Sequence, residues 1–90
     1  MDKQLWYEFI TEGCDIDYKF YRVPGFNPLT ALITYCEYSG ITGAHLEAIC
    51  SICFESAIQL ANEWLDRKII NIHEVGEEIF LTSDCNIIVV

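Results

Sequence analysis

Ninety residues with fourteen acidic and five basic side chains, a formal net charge of -9, make a short and strongly acidic chain. That sign repels phosphate backbones and anionic membranes and attracts cationic protein surfaces. The length suits one domain that buries somewhat more than about 60% of its unfolded surface, and the 52% hydrophobic fraction, with Trp6, Trp64, five Phe and five Tyr, leaves apolar surface for a partner or a second copy of the chain.

The chain begins MDKQLWYEF, without the basic and apolar regions of a secretory signal, and no apolar run approaches membrane-spanning length. A soluble, cytoplasmic protein in a reducing compartment is therefore expected. Cys14, Cys36, Cys50, Cys53 and Cys85 are odd in number and lack framework-like spacing, which fits reduced thiols, although one bridge remains open.

From Leu5 to Val23 the residues are mostly aromatic and branched. In "DIDYKFYRV" Ile16, Tyr18 and Phe20 alternate with Asp17, Lys19 and Tyr21, a strand period, and "TEG" at Thr11 to Gly13 suits a turn. Leu5, Trp6, Phe9 and Ile10 also fit one helical face capped by Gly13; the ring-rich composition favours a hairpin. "PGFNP" then breaks the chain and places Asn27 as N-cap and Pro28 at the first position of a helix that stops at Gly40, with Leu29, Leu32, Ile33 and Cys36 as its buried stripe. Thr42 caps a brief second helix with Leu46, Ile49 and Cys50 at helical spacing. After a break at Ser51 to Cys53, a third helix carries Phe54, Ala57, Ile58, Ala61 and Leu65 as a core stripe, widened by Leu60 and Trp64. Branched runs at Ile69 to His73 and Glu78 to Thr82, separated by Gly76, predict a second hairpin, and "CNIIVV" predicts a closing strand.

This order of helix, short helix, tight turn, longer helix and two-stranded wing resembles the winged helix-turn-helix family over Pro28 to Ser83. The stretch "ITGAHLEAICSICFESAIQLANEWLDRKIINI" is similar to that family's helix, turn, reading helix and first wing strand, and "EEIFLTS" is similar to a second wing strand ending in Leu-Thr. The pattern departs at Lys68, where glycine is common. The resemblance implies a winged-helix core (27-83); the segments before Pro28 and after Ser83 lie outside it, and their own residue patterns add a β-rich N-terminal extension (1-26) and a C-terminal strand (84-90), so an α+β domain is expected. It leaves function open, because the family includes both DNA readers and protein-interaction modules.

With the apolar stripe facing the core, the opposite side of the third helix carries Glu55, Gln59, Asn62, Glu63 and Asp66, the positions that would confront DNA. Glu74, Glu77 and Glu78 add negative charge on the wing. DNA binders neutralise several phosphates with Lys or Arg; here Arg67 and Lys68 sit at the C-terminal end of the helix, where the macrodipole favours cations. The reading is a non-enzymatic module that uses Glu55, Gln59, Asn62, Glu63, Asp66, Glu77 and Glu78 against a basic protein surface. Small phage and viral inhibitors that imitate DNA charge are similar in size and acidity. Leu60, Trp64, Ile87 and Ile88 offer apolar contacts for a homodimer. The competing reading is a dimeric DNA-binding regulator, with Gln59 and Asn62 on adenine edges and Lys3, Lys19, Arg22, Arg67 and Lys68 on the backbone.

"HLEAICSIC" offers His45, Cys50 and Cys53 as soft ligands, with Cys36 or Cys85 as a fourth, but two separated ligand pairs are missing and Cys50 reads as a small buried hydrophobe. His45, His73 and the cysteines form no local nucleophile signature. Asp15 with Asp17, or Glu77 with Glu78, more simply solubilise strand edges. No phosphate-binding or dinucleotide motif is present, so neither cofactor nor metal is expected.

Overall fold

Branched and aromatic residues dominate the first quarter of the chain, and there they form strands: β1, Leu5–Glu12, pairs antiparallel with β2, Tyr18–Gly25, in the register Tyr7 to Val23 and Phe9 to Tyr21. The hairpin expected before Pro28 is present. The computed structural model describes residues 3–15 and 17–77, together with the backbone of 85–87. Over this span the chain is an α+β fold. Three helices follow the hairpin, α1 (Pro28–Tyr38), α2 (Gly43–Cys50) and α3 (Phe54–Trp64), and then β3 (Lys68–Gly76) and the short β4 (Cys85–Ile87).

The sheet order is β3-β1-β2-β4, so β1 lies inside the sheet. β3 runs antiparallel to β1 along its length, and β4 pairs parallel with β2. β3 is therefore longer than the expected run of Ile69 to His73, and its partner among the described residues is β1. Glu78 to Thr82, the expected second wing strand, lies outside the described residues, as does Ile88. No described helix is long and apolar enough to cross a membrane.

α1 starts where Asn27 and Pro28 direct it. The Asn27 side chain accepts from the Thr30 amide at 2.9 Å, and the Thr30 hydroxyl accepts from the Asn27 amide at 3.0 Å, a reciprocal cap. Its end is set by Gly40, whose φ of 95° lets the Ile41 amide return to the Cys36 carbonyl at 2.9 Å and the Gly40 amide to Glu37 at 3.1 Å. Ile41 is then buried.

The core lies between the helices and the sheet face carrying Tyr7, Phe9 and Val23, and α3 adds Ala57, Ala61 and Leu65 as expected. Three stripes are rotated from the sequence expectation. On β2 the core takes Val23 and the half-buried Tyr21, while Tyr18 is 53% exposed, because pairing with Tyr7 and Phe9 fixes the parity. On α1, Tyr35 is buried where Ile33 was expected, its ring 5.1 Å from Phe9 and 5.4 Å from Tyr21. On α2, Cys50 faces water and Ile49 alone is fully buried. Gly25 is required by space, since a Cβ there would stand 2.7 Å from the Ala31 amide nitrogen.

Candidate functional site

α3 presents a strongly two-sided surface. Ala57 and Ala61 are buried, Phe54, Ile58 and Leu60 pack against the core, and Glu55, Ser56, Gln59 and Glu63 are exposed. Ile52, Ser56, Gln59 and Glu63 follow one another at helical spacing and, with Leu60, line an open groove of about 300 Å³. Glu55 occupies the first turn, where the helix dipole favours a carboxylate. Asp66, just past the helix, is exposed at a second cleft of about 190 Å³ bordered by Tyr21, Tyr35 and Tyr38. Burial, with Tyr21 alongside, pushes the Tyr35 hydroxyl up to about 12.

Asn62 does not belong to the exposed set. Its Nδ2 donates to the Ile69 carbonyl at 2.9 Å and its Oδ1 accepts from the Ile69 amide at 2.8 Å, so the side chain acts as a clip between α3 and β3. An amide matched to both backbone groups is committed to the fold and unavailable to an adenine edge. Trp64 is 37% exposed, with the His45 ring of α2 packed against it at a centroid distance of 4.2 Å and a tilt of 41°. Leu60 is half-buried, and Ile87 lies on β4 opposite Arg22 of β2.

The cations are placed differently from the sequence expectation. Arg67 lies beyond the end of α3 and turns inward instead of resting on the helix terminus. Its Nε donates to the hydroxyl of the buried Thr11 at 3.1 Å, and Nη1 and Nη2 donate to the Asp17 carboxylate and carbonyl, each at 2.8 Å. Arg22, with only 11% of its side chain exposed, pairs with Glu8 at 3.0 Å, and Glu8 also meets His73 Nε2 at 3.1 Å. Lys3 reaches Glu77 at 3.3 Å in an exposed pair of little energetic weight. Glu78 is outside the described residues. Among the described residues no cation pairs with Glu55, Glu63 or Asp66.

The Asp17 pair has a measurable signature. The hydrogen bond from Arg67, reinforced by its charge, holds the Asp17 carboxyl below its ordinary value of 3.8. A depressed folded value means stabilisation that is complete above the ordinary value and is lost as pH falls through the folded one. Asp17→Asn is thus expected to lower the melting temperature at neutral pH, with the gap to wild type closing in strong acid. A gap independent of pH would show that the carboxylate charge is not what Arg67 recognises.

Among the described residues no three His, Cys, Asp or Glu side chains converge as metal ligands. Burial pushes the Cys36 thiol up to about 12, and His45 is occupied with Trp64. The groove was missed in the sequence, where Ser51 to Cys53 reads only as a break; the Ser56, Gln59, Glu63 spacing is its one local signal, and the inward turn of Arg67 has none, because its partners lie 50 and 56 positions away. Comparison with protein-family models, curated proteins and solved structures finds no match to this chain.

Proposed function

We propose that the chain is a non-enzymatic interaction module whose exposed α3 face, Glu55, Gln59 and Glu63, together with Asp66 just past the helix, binds a basic protein surface. The partner we favour is a nucleic-acid-handling protein, engaged by imitation of DNA charge. One observation carries the reading: three carboxylates, two on α3 and one just past its end, are exposed with no ion-pair partner among the described residues, while Arg67, next in sequence to Asp66, is committed to Asp17 and Thr11. A charged face that no cation among the described residues neutralises offers long-range attraction to a cationic surface and orients the encounter. The groove beside Glu63, with Ile52 and Leu60 in its walls, adds apolar contact to that charge.

The same reading takes α1, α2, α3 and β3 as a winged-helix centre, supported by the helix order and the three-residue break before α3. The DNA-binding alternative loses support at its cations. Arg22 and Arg67 are held by Glu8 and Asp17, and Lys3 by Glu77, leaving Lys19 and Lys68 outside ion pairs among the described residues. Two lysines per subunit, four in the dimer which that alternative requires, release too few counterions for firm binding to duplex.

Fluorescence anisotropy with two labelled probes, an arginine-rich peptide and a DNA duplex of mixed sequence, tests the reading across a salt series. The peptide is expected to bind and to dissociate as salt rises, because the Debye length shrinks from about 30 Å at 0.01 M to about 10 Å at 0.1 M. The duplex is expected not to bind at any salt. A saturable duplex complex at low salt, or peptide binding indifferent to salt, overturns it.

A further inference from the structure

We propose that Cys50 and Cys53 form a thiol–disulfide exchange site at the turn between α2 and α3, with Cys53 the attacking sulfur and Cys50 the resolving one. The inference stands apart from the charge reading and uses side chains that reading does not need.

Cys50 is the last residue of α2 and Cys53 is the N-cap of α3, and both are exposed. Cys53 thus stands at a helix N-terminus, where dithiol redox pairs place their attacking sulfur, and Cys50 precedes it in a C-x-x-C spacing at the end of the helix before. Ser51, with φ -96° and ψ -4°, turns the chain between them. The two sulfurs are not equivalent. Cys53 Sγ lies 3.2 Å from Ser56 Oγ, donating as a thiol and accepting the hydroxyl proton as a thiolate. That hydrogen bond, aided by the Ser56 amide, holds the Cys53 thiol below its ordinary value against the opposing charge of Glu55. Cys36, by contrast, is buried with its thiol pushed up to about 12, which removes it from exchange at neutral pH.

The co-reactant is the disulfide of a small thiol. The Cys53 thiolate attacks one of its sulfurs, the S–S bond breaks and one thiolate leaves, giving a mixed disulfide on Cys53. Cys50 then loses its proton, attacks the Cys53 sulfur and expels the second small thiolate. Two protein thiols are oxidised and one disulfide is reduced to two thiols, which carry away both protons. Glu55, two residues from Cys53, sets a negative charge beside this site, so a cationic disulfide such as cystamine is preferred over the anionic oxidised glutathione. Ring closure also reaches the groove. Ile52 lies between the two cysteines and Ser56 loses its bond to Cys53, and both residues line the groove beside Glu63.

The test exposes the reduced full-length protein to cystamine or oxidised glutathione, quenches with acid, and maps the cysteines by mass spectrometry after cleavage at glutamate. The fragment from Ala48 to Glu55 holds Cys50 and Cys53 and excludes the other three cysteines. It is expected to lose two hydrogens and resist alkylation, faster with cystamine, with Cys36 left reduced. Cys50→Ser is expected to stop at the mixed disulfide on Cys53. Ser56→Ala is expected to slow alkylation of Cys53 by iodoacetamide several-fold at neutral pH while far-UV circular dichroism stays unchanged. A wild-type protein that accumulates the mixed disulfide, a bond to Cys36 or Cys14, or faster labelling of Cys50 than of Cys53 overturns the proposal.

Discussion

Reversing Glu55, Glu63 and Asp66 to lysine is expected to weaken binding of the arginine-rich peptide by roughly 100-fold at low salt. Each contact at about 4 Å is worth about 1 kcal/mol in bulk water, and reversal replaces attraction with equal repulsion, so three positions set an upper limit of about 6 kcal/mol. Screening and side-chain motion reduce this to roughly half, which is about two decades in Kd. The variant keeps a net charge of -9 + 6 = -3, so the protein as a whole remains acidic. A matched control reverses Asp15, Glu37 and Glu74, exposed carboxylates on the β1–β2 turn, the end of α1 and β3, and reaches the same -3. If both variants lose affinity equally, the peptide responds to net charge alone and the α3 face is no site. All six positions are exposed, so neither set is expected to unfold the protein.

The helices were legible because their signals are local. Asn27, Pro28 and Gly40 act within a few residues of the bonds they determine, and the Phe54, Ala57, Ile58, Ala61, Leu65 spacing is long enough to fix one face. Strand parity was not, since Tyr18 and Phe20 are as apolar as Tyr21 and Val23 and the choice between them is made across the sheet by Tyr7 and Phe9. β3 defeats alternation altogether. Its register with β1 shifts between Ile10 and Thr11, leaving Ile70 as an extra, 50% exposed residue, and so brings both Ile69 and Ile72 to the core. The exposure of Glu55, Gln59 and Glu63 was readable from helical phase, whereas Asn62 is half-buried against that phase and Asp66 lies past the helix end. A single polar residue at the border of a stripe reads as solvated, and only the return of β3 beneath it provides the Ile69 backbone that it clips.

The largest loss of stability is expected from Phe9→Ala, at about 3–5 kcal/mol. Phe9 is wholly inaccessible to solvent and sits on the central strand, opposite Tyr21 of β2 and Ile72 of β3. Above it the Tyr35 ring of α1 lies 5.1 Å away at a tilt of 32°, so one side chain joins three strands to the first helix. Its removal forfeits the transfer free energy of a ring and leaves a cavity that strands paired on both sides cannot close over. Domains of this kind have about 5–15 kcal/mol in all, and each kcal/mol moves the melting temperature of a chain this size by about 4–8 °C. Thermal denaturation followed by circular dichroism reads the difference directly. Tyr38→Ala, at a helix position 64% exposed, is the reference and is expected to cost about 0.5 kcal/mol or less. Equal midpoints for the two variants would be incompatible with β1 as an inner strand. They would also undercut the placing of α3, whose Ala57, Ala61 and Leu65 share the core with Phe9 and whose Asn62 clips β3, itself paired with β1.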